Sequence, residues 1–356
     1  MLGANAVSIG WNRSRMYCIV GSVVCTNLLH AEWQAGDAST VSRCDAALSI
    51  VGDPLGGDWV LTATGPLVFQ LFYYDGLSGA EALMFDGLVD QISLDRYRKI
   101  VSIEVRDYSG LLMNDVFQGA FVNQTSSEVA SSVANRYQFA AVIAPTERLV
   151  GAYYSENHSK LVLDRYASCT NEWSLLNSLA ALEQFEFYLT GKTLVFSPLS
   201  VLSPGCVSID TTQLLGFRIR QSLFPYNVSG VVVKSWNSWD GKAYVASASQ
   251  SANGGAATAV AQTDGAVVLL RSNLSDAGVE TMAQNLNGAL SQNAMVVDIS
   301  MPGETLLRPR DTITVIGDGL GFNIPYSVKS IRRRFSPTEG FTQRVMATTS
   351  ELSLSN

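Results

Sequence analysis

Two stretches near opposite ends of the chain share one pattern, in which two apolar-alternating arms flank a polar turn. The first occupies residues 85–107 and the second occupies residues 326–349. In the second arm of the first stretch, Val101, Ile103 and Val105 alternate with polar residues. Successive side chains of a strand point to opposite faces, so this alternation predicts a strand with one face in a core and one in water. The chain is therefore expected to build the same kind of antiparallel sheet twice.

Composition indicates a globular protein with a large core. The 356 residues are 47% hydrophobic and only 15% charged, and they include 29 glycines, which favours β structure. A chain of this length is expected to divide into two or three domains. Its net charge of −7 disfavours nucleic-acid binding, although it would suit the lining of a channel that must not hold DNA.

No residue pattern predicts a catalytic, metal or cofactor site. The five cysteines have no CxxC or paired spacing, which favours buried thiols in a reducing compartment over zinc ligation or a disulfide framework. His30 and His158 are far apart and fit no metal-ligand motif. The glycine-rich residues 317–321 precede a proline instead of a helix start, so a β-turn is favoured over a phosphate-binding loop.

The apolar residues 16–25 follow two arginines and superficially match a secretory signal peptide. The run is short, contains Gly21 and Ser22, and is followed by no convincing cleavage site, so a first β-strand is favoured. No run reaches the roughly 18 apolar residues of a membrane-spanning helix. Stable membrane insertion is therefore not expected.

The periodicity divides the chain into three blocks. Residues 1–109 alternate strands and turns, which predicts a first antiparallel β-barrel or sandwich. Residues 110–205 are predicted to mix helices, near 126–137 and 172–184, with a hairpin over 185–196. Residues 206–356 return to the β pattern, with a mobile loop at 247–262 and a helix at 275–291. The predicted fold class is mainly β, with two antiparallel β-barrels and a small mixed α/β insertion domain.

Two exposed sets of basic side chains are candidates for a subunit interface. In a strand, Arg332 and Arg334 would share one face while Arg333 would point to the other. This spacing is too sparse for a nucleic-acid groove, so bonding to acidic groups of a neighbouring subunit is favoured, with a solvated, aggregation-blocking edge as the alternative. The second set belongs to the turn between the arms of the first stretch and consists of Arg96, Arg98 and Lys99.

One aromatic cluster leaves a different function open. Trp236, Trp239 and Asp240 would suit a sugar-binding platform, because aromatic faces stack on pyranose rings. The same segment is also a good turn sequence, with Asp240 and Gly241 at its tip. A carbohydrate-binding or carbohydrate-degrading β protein is therefore the alternative hypothesis. A secreted enzyme that loses its first 25 or so residues is a third.

The order of the pieces resembles the baseplate hub proteins of tailed phages, the late control D group and its relatives in contractile injection systems. The resemblance covers most of the chain and rests on layout. The matching motifs, in chain order, are FDGLVDQI (85–92), VRD (105–107), FVNQTSSEV (121–129), EWSLL (172–176), FYLTGKTLVF (187–196), MPG (301–303), LRPRDTITV (307–315), YSVKSI (326–331) and GF (340–341).

The resemblance implies a structural protein with no catalytic residues, cofactors or metals, and two barrels like those of tail tubes. It also implies a homotrimeric ring that adapts a six-fold tail tube to a three-fold central spike and surrounds the DNA channel. Expected partners are the tail tube protein above, the spike protein below, and the tape-measure and baseplate wedge proteins. DNA would pass through without specific binding. The expected location is the tail tip or baseplate of the virion, after assembly in the host cytoplasm.

Overall fold

The structure is a computed structural model, and strands make up most of it. It describes residues 14–36, 40–51, 59–76, 78–116, 121–147, 149–150, 152–154, 160–162, 169–198, 205–221, 230–237, 241–249, 266–272, 274–291, 295–317 and 324–349. The predicted fold class, mainly β with an α+β middle part, is confirmed.

The first block is an antiparallel β structure around its own core. The predicted alternation is confirmed, because Val101, Ile103 and Val105 are buried while Ser102 and Glu104 are exposed. The apolar residues 16–25, predicted as a first strand, form two paired strands that turn at Gly21 and Ser22. The elements are β1 (Arg15–Val20), β2 (Val23–Cys25), β3 (Leu28–Gly36), β4 (Arg43–Ser49), α1 (Trp59–Thr62), β5 (Val68–Tyr74), β6 (Glu81–Asp95) and β7 (Ile100–Arg106).

The middle block packs helices on a small mixed sheet. The predicted helix near 126–137 is confirmed, and a capping box begins it: the Thr125 hydroxyl accepts from the Glu128 backbone N–H, and the Glu128 carboxylate accepts from the Thr125 backbone N–H. The elements are α2 (Ser109–Asn114), β8 (Gln124–Thr125), α3 (Ser126–Arg136), β9 (Ala140–Ile143), β10 (Leu149–Val150), β11 (Ala152–Tyr154), β12 (Lys160–Val162), α4 (Glu172–Glu183), β13 (Glu186–Thr190) and β14 (Thr193–Ser197).

The last block contains two separate hydrophobic cores, where the sequence predicted one barrel with an added helix. The first core lies among the strands at 206–210, 295–302, 312–316, 325–336 and 340–349. The second lies between the helix at 276–291 and a three-stranded sheet formed by 230–237, 242–249 and 267–272. The elements are β15 (Cys206–Asp210), β16 (Gly216–Gln221), β17 (Gly230–Asn237), β18 (Lys242–Ser249), β19 (Val267–Ser272), α5 (Asp276–Ser291), β20 (Met295–Pro302), β21 (Thr312–Ile316), β22 (Pro325–Ser336) and β23 (Gly340–Thr349).

The sequence predicted a helix at 275–291 and a loop at 247–262 in the last block. The predicted helix at 275–291 is confirmed as α5, which begins after Ser275, whose hydroxyl accepts from the Gly278 backbone N–H, and which buries Val279 and Met282. Of the predicted loop at 247–262, residues 247–249 belong to β18, because they pair with β17, and residues 250–262 lie outside the described part of the chain. The strand β15 pairs in parallel with β21, so this block is not wholly antiparallel.

The first and last blocks share one continuous sheet. Eleven of its 13 strands follow the order β16-β20-β23-β22-β3-β4-β7-β6-β5-β1-β2. Of the other two, β21 pairs with β22, and β15 pairs with β21. The two blocks meet where β22 pairs antiparallel with β3, and the register sets Arg332 opposite Gln34 and Arg334 opposite Glu32. We call this pairing the β22–β3 junction. The edge of each block is therefore covered by the other block of the same chain.

Arg333 points inward at the β22–β3 junction, between the two β cores. It is 6% exposed, and its guanidinium donates to the Leu307 carbonyl at 2.5 Å and to the Gln343 side-chain oxygen at 3.1 Å. Burial lowers the pKa of Arg333, and the Glu304 carboxylate, 3.8 Å away, opposes that shift. Arg333 is thus enclosed by its own chain.

We expect Arg333→Ala to lower the free energy of unfolding by about 3 kcal/mol, because it leaves buried acceptors without a donor at the junction. Urea denaturation would measure this loss. The matched control is Arg334→Ala, which removes an exposed arginine whose ion pair with Glu339 spans 3.4 Å, and it should change stability by less than about 0.5 kcal/mol. Equal losses in the two variants would contradict the assignment.

Gly87 marks the point where β6 leaves one neighbour and joins another. Strand β6 pairs with β5 up to Leu88 and with β7 from Leu88 onward. A Cβ atom at Gly87 would lie 2.2 Å from the Arg106 carbonyl oxygen, which belongs to the backbone and cannot turn away. The chain can cross between these neighbours only with a glycine at this position.

We therefore expect Gly87→Ala to destabilise the protein by about 2 kcal/mol or more, because the backbone must shift to remove the overlap. Thermal unfolding would measure the effect. Gly216→Ala is the control, since a Cβ atom there would meet Ser300 at an ordinary 3.7 Å, and its midpoint should stay near that of the parent. A Gly87→Ala variant as stable as the control would show that β6 can adjust.

Candidate functional site

Eight consecutive strands of the large sheet consist of two four-stranded repeats. The first repeat has the order β6-β7-β4-β3, and the second has the order β22-β23-β20-β16. Each begins with a long strand that carries a β-bulge at the same place: Asp90 is the extra residue in β6 and Lys329 is the extra residue in β22. The bulges align residues 89–95 with residues 328–334. Within this alignment only Val89 and Ile92 are matched by the same residue type, so the repeat is one of structure.

The register carries the alignment through all four strands. In the first repeat, one row of directly opposite residues runs across the four strands as Gln91, Glu104, Asp45 and Glu32. The corresponding row of the second repeat runs Ser330, Met346, Asp298 and Arg218. Asp45 and Asp298 occupy the same place in the two repeats, whereas Glu32 is replaced by a residue of opposite charge. The two repeats are thus alike in geometry and different in charge at their last strand.

The face of this sheet that points away from the cores is polar, and we call it the outer face. Its charged side chains carry both signs and come mostly in pairs. Ion pairs link Arg332 with Glu32, Arg344 with Asp298, and Arg106 with Asp90. The Arg344 guanidinium donates to Asp298 and lowers the pKa of that carboxyl. In the described part of the outer face, Asp45 and Glu104 lie opposite each other without an ion pair to a cation.

The predicted basic sets occupy different environments. Arg332 and Arg334 are exposed on the outer face, as the alternation predicted, while Arg333 is buried. The structure does not bring Arg332–Arg334 together with the other set. Arg96, Arg98 and Lys99 are exposed in the turn between β6 and β7, where Asp95 accepts from the backbone N–H groups of Tyr97 and Arg98 at 3.0 and 2.9 Å. An interface role for the exposed members stays a prediction.

The predicted glycan patch is only partly within the described residues. Trp236 is 59% exposed on β17, on the sheet face that α5 does not cover. Its neighbours on that face include the exposed Val245 and Leu270, so the surroundings are mainly apolar. Trp239 and Asp240 lie outside the described residues. The described part of the patch is an exposed aromatic side chain, and the polar residues beside it on that face are Lys234 and Ser272.

One arginine that the sequence did not single out ties the middle block to the last block. The Arg310 guanidinium forms an ion pair with Glu186 at 2.6 Å and stacks 3.4 Å from the centre of the Tyr188 ring. Its backbone adopts φ +80°, which is uncommon for a side chain with a Cβ. Arg310 belongs to the LRPRDTITV motif, but nothing local in the sequence signals a partner more than a hundred residues away.

The described residues contain no constellation that predicts chemistry. Among them, no group of three or more histidine, cysteine, aspartate or glutamate side chains is arranged to hold a metal ion. His30 is half-buried on β3, and His158 lies outside the described residues. No helix within the described ranges is both long enough and apolar enough to span a membrane.

Comparison with known proteins identifies relatives by structure. No protein-family model matches the sequence, and no curated protein matches it either. Among solved structures, a tail protein from Neisseria meningitidis MC58 is similar with a TM-score of 0.67 at 13% identity, over 94% of this chain and 96% of that chain. The 43 kDa tail protein of prophage MuSo2 from Shewanella oneidensis gives a TM-score of 0.65 at 14% identity, over 94% and 98%.

A third similar structure comes from a secretion system. An Escherichia coli protein described as a component of the type VI secretion system, with structural similarity to the T4 bacteriophage tail proteins gp27 and gp5, gives a TM-score of 0.55 at 12% identity. The match covers 96% of this chain and 77% of that one. These identities are low, and the similarity is one of fold across nearly the whole chain. The protein therefore has the fold of these phage tail proteins and of the type VI secretion component, which confirms the resemblance seen in the sequence.

Proposed function

We propose that the protein is the structural hub of a phage tail, a homotrimeric ring that adapts a six-fold tail tube to a three-fold central spike and surrounds the DNA channel. The observation that carries this proposal is the pair of four-stranded repeats within one continuous sheet. Three copies of a chain with two equivalent repeats present six equivalent units to a six-fold partner. The same three copies present each non-repeated part of the chain three times.

The non-repeated parts are the middle block and the α5 unit with its three-stranded sheet. Each has its own hydrophobic core and neither has a counterpart elsewhere in the described chain. In the proposed ring these parts supply the three-fold features, which the spike, tape-measure and wedge proteins would contact. The repeats, from residues 1–109 and 206–356, face the tail tube. The proposed location is the tail tip or baseplate of a virion.

The outer face is the proposed lining of the channel. Three of its arginines, Arg106, Arg332 and Arg344, are held by carboxylates, so these cations are not free to bind the passing DNA. Non-specific DNA binding depends on cations that are free to replace the counterions of phosphates. A lining of neutralised pairs would let DNA slide without the uniformly acidic surface that the net charge alone suggests.

The ring itself is tested by mass and by symmetry. Sedimentation velocity of the full chain should give a species of about three times 38.3 kDa. Averaged end-on electron-microscope images of that species should show six similar units around a central opening, and three-fold features elsewhere. A two-fold or four-fold assembly would overturn the proposal, and so would a chain that stays monomeric at high concentration and is absent from tail tips.

The channel role predicts how the outer face responds to the loss of carboxylates. The double variant Glu32→Ala and Asp298→Ala frees Arg332 and Arg344, so it should bind double-stranded DNA at least about tenfold more tightly than the parent at low salt. The binding should weaken steeply as salt rises. Fluorescence anisotropy with a labelled duplex would measure both effects.

The matched control is Asp45→Ala with Glu104→Ala. It removes the same negative charge from the same face but frees no ion-paired arginine among the described residues. If both double variants gained the same affinity, net charge would explain the binding and the pairing of arginines would be irrelevant. Thermal unfolding of each variant would establish that the sheet is intact.

A further inference from the structure

Each repeat has two edges, and in the described part of the chain only one edge of each is paired with the other repeat. The first strand of the second repeat, β22, pairs with the last strand of the first repeat, β3. The corresponding strands at the outer ends are β6 and β16. Among the described residues, β16 pairs only with β20, and β6 beyond Leu88 pairs only with β7. The Val89 backbone N–H still donates to the Leu67 carbonyl at 2.9 Å, so the edge of β6 without a partner strand runs over residues 90–95. Within the described ranges, the outer edge of β16 has no partner strand either.

We propose that β6 of one copy pairs antiparallel with β16 of a second copy, in the register that β22 and β3 adopt within the chain. This rests on the proposed ring and names the contact that closes it. Because residues 328–334 align with residues 89–95, the junction can be transferred position by position. Arg334 opposite Glu32 becomes Asp95 opposite Arg218, and Arg332 opposite Gln34 becomes Ser93 opposite Arg220.

The transferred register is complementary in charge. At the β22–β3 junction, β22 supplies the cation, Arg334, and β3 supplies the anion, Glu32. At the proposed contact the signs are reversed, since β6 supplies Asp95 and β16 supplies Arg218, and both residues are exposed. Opposite charges across neighbouring strands stabilise the pairing, and like charges directly opposite destabilise it.

The reversal also excludes the two incorrect pairings. If β22 paired with β16, Arg334 would lie opposite Arg218, and if β6 paired with β3, Asp95 would lie opposite Glu32. Each would place like charges directly across from each other. Only β22 with β3 and β6 with β16 are electrostatically matched, so copies would join in one order, head to tail.

The inward side of the proposed contact is apolar. Leu94 corresponds to Arg333, and Ile219 corresponds to Trp33, so these two side chains would lie opposite each other on the core face. Both are only half-buried in the single chain. Pairing would therefore remove apolar surface from water as well as satisfy the backbone groups of both edges.

Cysteine cross-linking tests the register directly. In a Cys206→Ser background, which removes the exposed native thiol, Ser93→Cys and Arg220→Cys should form disulfides between copies under mild oxidation. Denaturing gels should then show a ladder that ends at three chains. The same substitutions at the corresponding positions of the known junction, Gln34→Cys and Arg332→Cys, should form a disulfide within one chain and give no ladder.

A shifted pair controls for random collision. Ser93→Cys with Arg218→Cys displaces one partner by two residues, about 7 Å along the strand, and should lose most of the cross-linked species. If sedimentation shows a trimer but Ser93→Cys with Arg220→Cys does not cross-link above this control, the proposed strand pairing is overturned and the ring survives. If no oligomer forms at any concentration, both proposals are overturned.

Charge reversal gives an independent measurement. Arg218→Glu places a carboxylate opposite Asp95 and should shift the assembly to monomer at low salt. Arg220→Glu changes the net charge equally on the same strand but faces Ser93, so it should leave most of the trimer intact. Neither variant touches the turn that Asp95 caps. Equal assembly in both variants would overturn the register.

Discussion

The antiparallel pairing of β22 with β3 is the interaction on which the rest of the molecule depends. It joins the two ends of the chain into one sheet, so the first and last blocks cannot move as separate bodies while it holds. The backbone groups of both edges are hydrogen-bonded there. Beneath the pairing, the buried Arg333 guanidinium donates hydrogen bonds to the Leu307 carbonyl and to the Gln343 side chain. Because both repeats belong to one sheet, the outer face runs without a break from the first repeat to the second.

Local patterns predicted the elements well, because those patterns act over a few residues. The strand that buries Ile103, the capping box at Thr125 and the start of α5 after Ser275 all depend on neighbours within one or two turns. The predicted opposite facing of Arg333 and its two neighbours also followed from the period of a strand. These features are determined by side-chain periodicity and by caps, which a sequence displays directly.

Long-range pairing could not be predicted in this way. The Arg332–Glu32 ion pair joins residues 300 positions apart, and Arg310 reaches Glu186 across 124 positions. Nothing near either arginine in the sequence identifies its partner, since register is fixed by the whole sheet. The repeat was visible as a pattern at both ends of the chain, but its matching bulges at Asp90 and Lys329 appear only in the strand pairing. The second core of the last block was missed because α5 was assigned to the barrel.

The β22–β3 junction has a consequence for synthesis in the cell. Strand β3 emerges early from the ribosome, whereas β22 emerges roughly 300 residues later, and translation at about 5–20 residues per second separates them by roughly 15 to 60 s. Throughout that delay, β3 presents an unpaired edge that favours association with other nascent chains. The exposed Gln34 and the charged Glu32 are suited to keeping the unpaired edge of β3 soluble. The synthesis of β22 thus ends the period in which the edge of β3 has no partner.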